Sequence, residues 1–272
     1  MDKKMIAALA VASNAVIWSG QIQANQASGY PLMGGSAGNL YPALSLMFGH
    51  DNNLFQSSAN EKSSGLYELA PMLGWGAQSG AHEFGAMYEA RIGRYDTSSD
   101  DNYERQRLDA NANLVFNRKL DLALDFIYQD TSDPRGSTDR PVLTEPDEWH
   151  ATGADVVLGY GATNAPARLE VSLGGNRKRY DNNSTFTAFS ELDTTNLGAL
   201  FLYEVMPKTS LLFEVEARNL DYRAGTLDSE EYYTLFGGTW EATAQTSGTV
   251  KVGFVDKDFD VAARDDFDGG SW

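Results

Sequence analysis

The sequence predicts an all-β chain, an antiparallel up-and-down transmembrane β-barrel with about 11–12 strands over residues 40–272. Three observations carry that prediction. Apolar and polar residues alternate over segments about ten residues long, the length of a tilted strand that crosses a bilayer. Past the N-terminus no apolar run reaches about 18 residues, which excludes a helical membrane protein. Short polar turns alternate with longer acidic loops, as in a barrel with all its turns at one end and all its loops at the other.

The alternation is clearest from Leu108 to Asp130. Leu108, Ala110, Ala112, Leu114 and Phe116 alternate with Arg107, Asp109, Asn111 and Asn113. After the turn Asn117-Arg118-Lys119, residues Leu120, Leu122, Leu124, Phe126 and Tyr128 alternate with Asp121, Ala123, Asp125 and Gln129. Side chains two apart share a strand face, so each strand has one apolar and one largely polar face. The tight turn pairs the two strands antiparallel.

Taken in order, the same pattern marks strands at about 40–49, 66–75 and 83–92, then the hairpin, then 150–160, 167–173, 197–203, 211–217, 232–242 and 250–254. Pro71 weakens the second of these, because proline removes a ladder donor. Short turns fall near 79, 118, 164, 207 and 246, and longer loops near 56, 100, 139, 185, 226 and 262. No segment reads as a helix. Residues 28–39, rich in Gly and Ser, read as irregular. Tyr88, Tyr128, Tyr160 and Tyr203 are expected near the loop ends of their strands, as an aromatic girdle.

Residues 1–27 read as a signal peptide. Lys3-Lys4 precedes a mostly apolar stretch, Met5 to Trp18, and a polar exit with cleavage expected after Ala24 or Ala27. The chain has no Cys, which removes disulfide frameworks and thiolate metal sites. A net charge of −17 argues against a nucleic-acid partner. The expected setting is the bacterial outer membrane, with its lipid and lipopolysaccharide as partners and polysaccharide or small solutes as cargo. No cofactor is implied.

A soluble sandwich would turn its apolar face inward, and a lipocalin-like barrel would use eight strands. In the three strands at 83–92 and 108–128, every position on the apolar face is apolar, which suits lipid. The opposite face then lines a lumen. Its candidates are Glu83, Glu89, Arg91, Arg107, Asp109, Asp121, Asp125, Asp155, Arg168, Glu170, Glu214, Glu216, Arg218 and Lys251. They form either an ion-pair network that fills the lumen or a charge-selective lining with mild cation preference. Asp51, Asp100, Asp101, Asp181 and Asp266 are acidic loop residues, read as solvated charge or as ligands for divalent cations. None matches the spacing of a Ca²⁺ loop. An outer-membrane hydrolase would need His50, His82 or His150 as base, with Asp147 and Asp155 near His150 in sequence, but no Gly-x-Ser-x-Gly elbow is present. A structural or adhesive barrel with a plugged lumen is the other alternative.

Several short motifs carry a family resemblance. They are His50-Asp51-Asn52-Asn53-Leu54-Phe55, Tyr95 with Ser98 to Tyr103, Asp133-Pro134-Arg135-Gly136-Ser137 and Pro146-Asp147-Glu148-Trp149. Arg179 to Asn183, Pro207 to Ser210 and Thr239 to Ala244 complete the set. In this order they resemble outer-membrane β-barrel, porin-like proteins associated with exopolysaccharide export loci. The resemblance covers most of residues 40–272 and implies an outer-membrane barrel without catalytic residues. It also implies further strands, since the family's chains are longer. Eleven strands and a fraying twelfth therefore lead to the expectation of a barrel incomplete at its C-terminus.

Overall fold

The computed structural model describes residues 30–31, 37–56, 61–136, 138, 144–162, 165–224, 227–243 and 246–272. The expected signal peptide lies outside the described residues, as do parts of the loops near 56, 139 and 226 and of the turns near 164 and 246. The elements are β1 (Tyr30–Pro31), β2 (Asn39–Asp51), β3 (Ser64–Ser79), β4 (His82–Tyr95), β5 (Tyr103–Asn117), β6 (Leu120–Asp133) and β7 (Asp147–Tyr160). They continue as β8 (Ala167–Tyr180), α1 (Ser184–Thr187), β9 (Leu192–Met206), β10 (Thr209–Tyr222), β11 (Ser229–Thr243), β12 (Thr246–Phe259) and β13 (Phe267–Ser271). All strands form one sheet in sequence order, each antiparallel to the next. The eleven long strands, β2 to β12, are the eleven read from the sequence, and β13 is the short twelfth. Among the described residues no ladder joins the two ends of the sheet.

Two-residue turns follow β3, β5 and β9, and six residues join β7 to β8. Gly80 and Lys208 supply the positive φ in two of these turns, at 64° and 67°. The connections at the other end run from six residues, between β10 and β11, to 13, between β6 and β7. Pro71 does not break β3. Its ladder with β2 is continuous, and only the β4 side lapses, at Ala70 and Pro71.

Four features differ from the sequence reading. The long strands run 13–16 residues rather than about ten, chiefly by extension at the loop end. The extensions, such as Arg177-Lys178-Arg179 on β8 and Asp193-Thr194-Thr195 on β9, carry no apolar alternation, so periodicity is blind to them. Helical structure exists: α1 continues into a 3₁₀ turn at Ala188–Ser190, and Ser99–Asp101 forms another. Within residues 28–39, Tyr30–Pro31 pairs with Leu40 and Asn39. Finally, Tyr160 and Tyr203 lie at the turn ends of β7 and β9, not the loop ends, and Tyr88 lies mid-strand.

The aromatics therefore form two belts on the apolar face. Trp75, Phe84, Phe116, Tyr160, Tyr203 and Trp240 lie toward the turns, and Phe48, Tyr67, Tyr128 and Tyr232 toward the loops. Tyr67 and Trp75, like Tyr232 and Trp240, stand eight residues apart. That is about 27 Å along a strand, or about 20 Å of height at a tilt near 40°. That separation approaches the apolar band of about 25 Å that outer-membrane barrels present to lipid.

The packing is inverted relative to a soluble protein. Among the described residues only Leu54 and Leu212 are buried large hydrophobics. Phe48 is 75% exposed, Leu44 65% and Val252 56%, all on the apolar face. A charge placed there meets hydrocarbon. Val156→Arg should destabilise folding into liposomes by about 2–4 kcal/mol, read by urea titration, whereas Ser172→Arg on the other face should cost much less.

Candidate functional site: the charged face

All fourteen sequence-predicted lining residues fall on the face opposite the exposed hydrophobics, as strand parity and register place them. They are tied together largely by ion pairs. Arg107 grips Asp109 with two hydrogen bonds of 2.7 and 2.8 Å, and Arg218 grips Glu216 at 2.7 and 3.0 Å. Arg91 pairs with Glu89, and Lys251 with Glu214. Arg168 donates to Glu170 at 2.7 Å and takes Asp121 bidentately at 2.7 and 2.8 Å. The recurring arrangement is an arginine and a carboxylate two residues apart on one strand, which is the spacing that puts both on one face. Bidentate guanidinium–carboxylate pairs of this kind are the strong, directional ones.

Five basic candidates thus engage six of the nine acidic ones. Glu83, Asp125 and Asp155 remain without a hydrogen bond or ion pair among the described residues. Asp125 and Asp155 are direct register partners on β6 and β7. Asn111 stands beside Asp125 on β5. Asp155 faces Gly174 on β8, over which it meets Asn196 of β9. Two of the three uncompensated carboxylates therefore stand side by side on β6 and β7, and the third, Glu83, lies at the turn end of β4.

Several links skip a strand. Arg168 on β8 reaches Asp121 on β6 over Gly159 of β7, and a Cβ there would collide with both groups. The Tyr103 hydroxyl on β5 donates to Glu68 on β3 at 2.6 Å, passing over Gly93 of β4, where a Cβ would strike the phenol ring. Lys251 on β12 reaches Glu214 on β10 across β11. Strands two apart are about 10 Å from each other on a flat sheet. Bridges over them are favoured where the face is concave and the middle strand bears glycine. The charged face is thus the inside of the curve, and the apolar face the outside.

Sequence reading missed part of this network. Glu68, beside Arg91 as well as Tyr103, shares a strand with Pro71, and only its apolar face was read. The Glu231–Lys257 pair at 2.6 Å lies in strand extensions that alternation did not reach. Even so, Glu68 keeps the parity of the polar face, which is the signal that finds it.

A family model described as "Putative beta-barrel porin 2" matches residues 30–271. The chain belongs to this family. No curated protein matches it. For a β-barrel porin the concave charged face is the interior and the exposed apolar face meets lipid, so the sandwich and lipocalin readings fall away.

Five of the seven motifs that carried the sequence resemblance fasten loops in this chain. Arg135 forms a bidentate ion pair with Asp101, which is only 4% exposed, and its guanidinium stacks on Phe55 at 4.0 Å. Leu54 is buried beside them in sequence. Three successive loops are thereby knitted together. A second lock joins Asn182, whose Oδ1 accepts from Glu148 N at 2.9 Å, and Asn183, whose Nδ2 donates to Asp147 at 2.7 Å. Glu191, buried, accepts from Arg223 at 2.8 Å and from Tyr180 N at 3.2 Å.

The acidic loop residues have mixed fates. Asp101 is spent on Arg135, and Asp181 faces His150 at 3.0 Å. Asp51 and Asp266 accept backbone N–H groups from Asn53 and Phe259, and Asp100 has only a 3.4 Å contact with Ser99. Among the described residues no three potential ligands gather around one point. The hydrolase arrangement does not assemble either. His150 stands on the outer face beside Asp181, while Asp155 points inward. His82 lies at the turn end, accepting from Val115 N at 3.1 Å, and His50 is on β2.

Two outcomes follow. Gly159→Leu should sever Arg168 from Asp121 and lower folding stability by about 1–3 kcal/mol, visible as an earlier unfolding midpoint in urea. Arg135→Ala should leave Asp101 buried and unpaired, a change on the order of 3–5 kcal/mol. Limited proteolysis of the folded barrel should then cut in the 96–102 and 134–146 loops where the parent chain resists.

Proposed function

We propose that the protein is an outer-membrane passage for hydrophilic solutes, exported by a signal peptide spanning residues 1–27 and weakly selective for cations. The observation that carries this reading is the charge balance of the concave face. Among the fourteen candidates each cation is neutralised by carboxylates in fixed pairs, Asp125 and Asp155 stand adjacent without a counter-ion among the described residues, and the unpaired Arg105 and Lys178 lie apart from them, nearer the loops. Paired charges keep the wall wet without strongly attracting either sign, so the unpaired carboxylates set the preference. Lys3-Lys4, the apolar stretch to Trp18 and the polar residues after it support export.

Lipid and lipopolysaccharide are the surroundings this reading requires. Level with the loop-side aromatics and toward the loops, the outer face carries Arg94, beside Tyr67, with Glu104, and Arg177 and Arg179 with Asp193. Charged pairs at that height suit a phosphate-bearing headgroup layer.

Planar-bilayer recording on the refolded chain tests the proposal. Stable conductance with a modest cation preference is expected, and Asp125→Asn combined with Asp155→Asn should bring the cation-to-anion permeability ratio close to unity. A folded barrel, shown by a heat-dependent gel shift, that conducts nothing would overturn the proposal in favour of a plugged structural barrel.

A further inference from the structure

A second feature of the inner wall lies nearer the loops than Asp125 and Asp155. The β5–β6 ladder ends at Gln106 and Asp130, although β5 continues to Tyr103 and β6 to Asp133. The strands fork there, and the fork encloses a pocket of about 260 Å³. Glu89, Arg91, Arg105, Arg107, Gln129 and Thr131 line it from inner-face positions, and the last ladder pair, Gln106 and Asp130, bounds it. Three guanidiniums converge on this pocket. Arg91 and Arg107 are held by Glu89 and Asp109. Among the described residues Arg105 has no carboxylate within ion-pair distance, only the Ser132 hydroxyl at 3.2 and 3.3 Å.

Aromatic rings continue from the pocket along the wall. Arg105 lies over the Tyr103 ring at 4.1 Å. Thr131 is the register partner of Trp149, and Trp149 of Tyr180. Lys178, which likewise has no carboxylate partner among the described residues, lies 4.0 Å over Trp149 and 4.7 Å over Tyr180. All three rings are partly exposed. Their polar edges are anchored: Trp149 Nε1 donates to Asp133 at 2.9 Å, and the Tyr103 hydroxyl to Glu68 at 2.6 Å. The result is a fixed track of ring faces interleaved with two uncompensated cations, spread over β5 to β8 rather than closed into one slot.

We propose that this track binds an acidic saccharide, entering from the loop side, with sugar carboxylates on Arg105 and Lys178 and a pyranose face against Trp149. A guanidinium takes a carboxylate through two parallel hydrogen bonds. Ring faces take the apolar C–H side of a sugar, and Gln129 and Thr131 supply partners for its hydroxyls. An extended track fits a chain of repeating units better than a compact anion. Asp125 and Asp155, deeper on the same strands, oppose further entry of the ligand's charge, so the saccharide is held near the mouth. The proposal rests on the reading of this face as the interior of a passage.

Binding is measured first without reference to conduction, by Trp fluorescence and calorimetry on the folded full chain in detergent. The probes are hexagalacturonate, maltohexaose and inorganic phosphate. Hexagalacturonate should bind at least tenfold more tightly than either of the others, and Arg105→Gln or Lys178→Gln should each weaken it about tenfold while the heat-dependent gel shift persists. Equal binding of maltohexaose, equal binding of phosphate, or unchanged affinity in both variants would overturn the proposal. In bilayers, hexagalacturonate added on the loop side should block current in the parent chain, with the half-blocking concentration about tenfold higher in Arg105→Gln. A folded chain that binds hexagalacturonate but never conducts would sink the passage reading and leave the binding site standing. A conducting chain that binds none would do the reverse.

Discussion

The backbone's demand for hydrogen bonds in a medium without water governs the whole molecule. An unsatisfied N–H or C=O in hydrocarbon costs several kcal/mol. A chain that crosses lipid as strands must therefore pair each strand with its neighbours along nearly its whole length, and β2 to β12 do so in simple sequence order, with a lapse between β3 and β4 at Ala70 and Pro71. Once the ladders are fixed, the side chains have only two destinations. Odd and even residues alternate between lipid and interior, and the hydrophobic effect, which elsewhere gathers apolar groups in a core, here disperses them over the outer surface. Leu44 and Phe48, largely exposed in the isolated chain, are at home in that setting.

The interior then faces a different problem, because carboxylates and guanidiniums line a confined space. Same-strand pairs such as Glu216 with Arg218 neutralise charge locally and do not depend on how the barrel is curved. Links over a glycine, such as Arg168 to Asp121 across Gly159, do depend on it. They couple three consecutive strands and hold the wall's curvature. A leucine on β7 at that point would satisfy the ladder equally well and still break the wall. The same economy of space explains why the uncompensated groups matter. Against a neutralised background, Asp125 with Asp155 and Arg105 with Lys178 are the places where the wall has charge to offer a solute.

Much of this was legible in the sequence, for a specific reason. Alternation reports which face a residue occupies, so the eleven strands, the polar face and all fourteen candidate positions could be read directly from Leu108–Asp130 and its counterparts. Alternation fades where both faces are polar, which is why the loop-side extensions of β7, β8 and β9 escape it, and with them Lys178 and the Trp149–Tyr180 pair. It also cannot say which way a strand points. Tyr160 and Tyr203 were assigned to the loop end although each precedes a short turn. Contacts between distant loops lay beyond any local pattern. Arg135 and Asp101 stand 34 residues apart and meet only because β5 and β6 return the chain to the same end.

The central claim is that one face of each strand meets lipid and the other meets water. The chain has no cysteine, so single cysteines report cleanly. Cysteines placed one at a time from Asp121 to Phe126 on β6, in the chain folded into liposomes, should react with a water-soluble, membrane-impermeant maleimide at 121, 123 and 125 and resist it at 122, 124 and 126. Uniform labelling, or labelling confined to the even positions, would contradict the assignment of the two faces and with it the account of the interior.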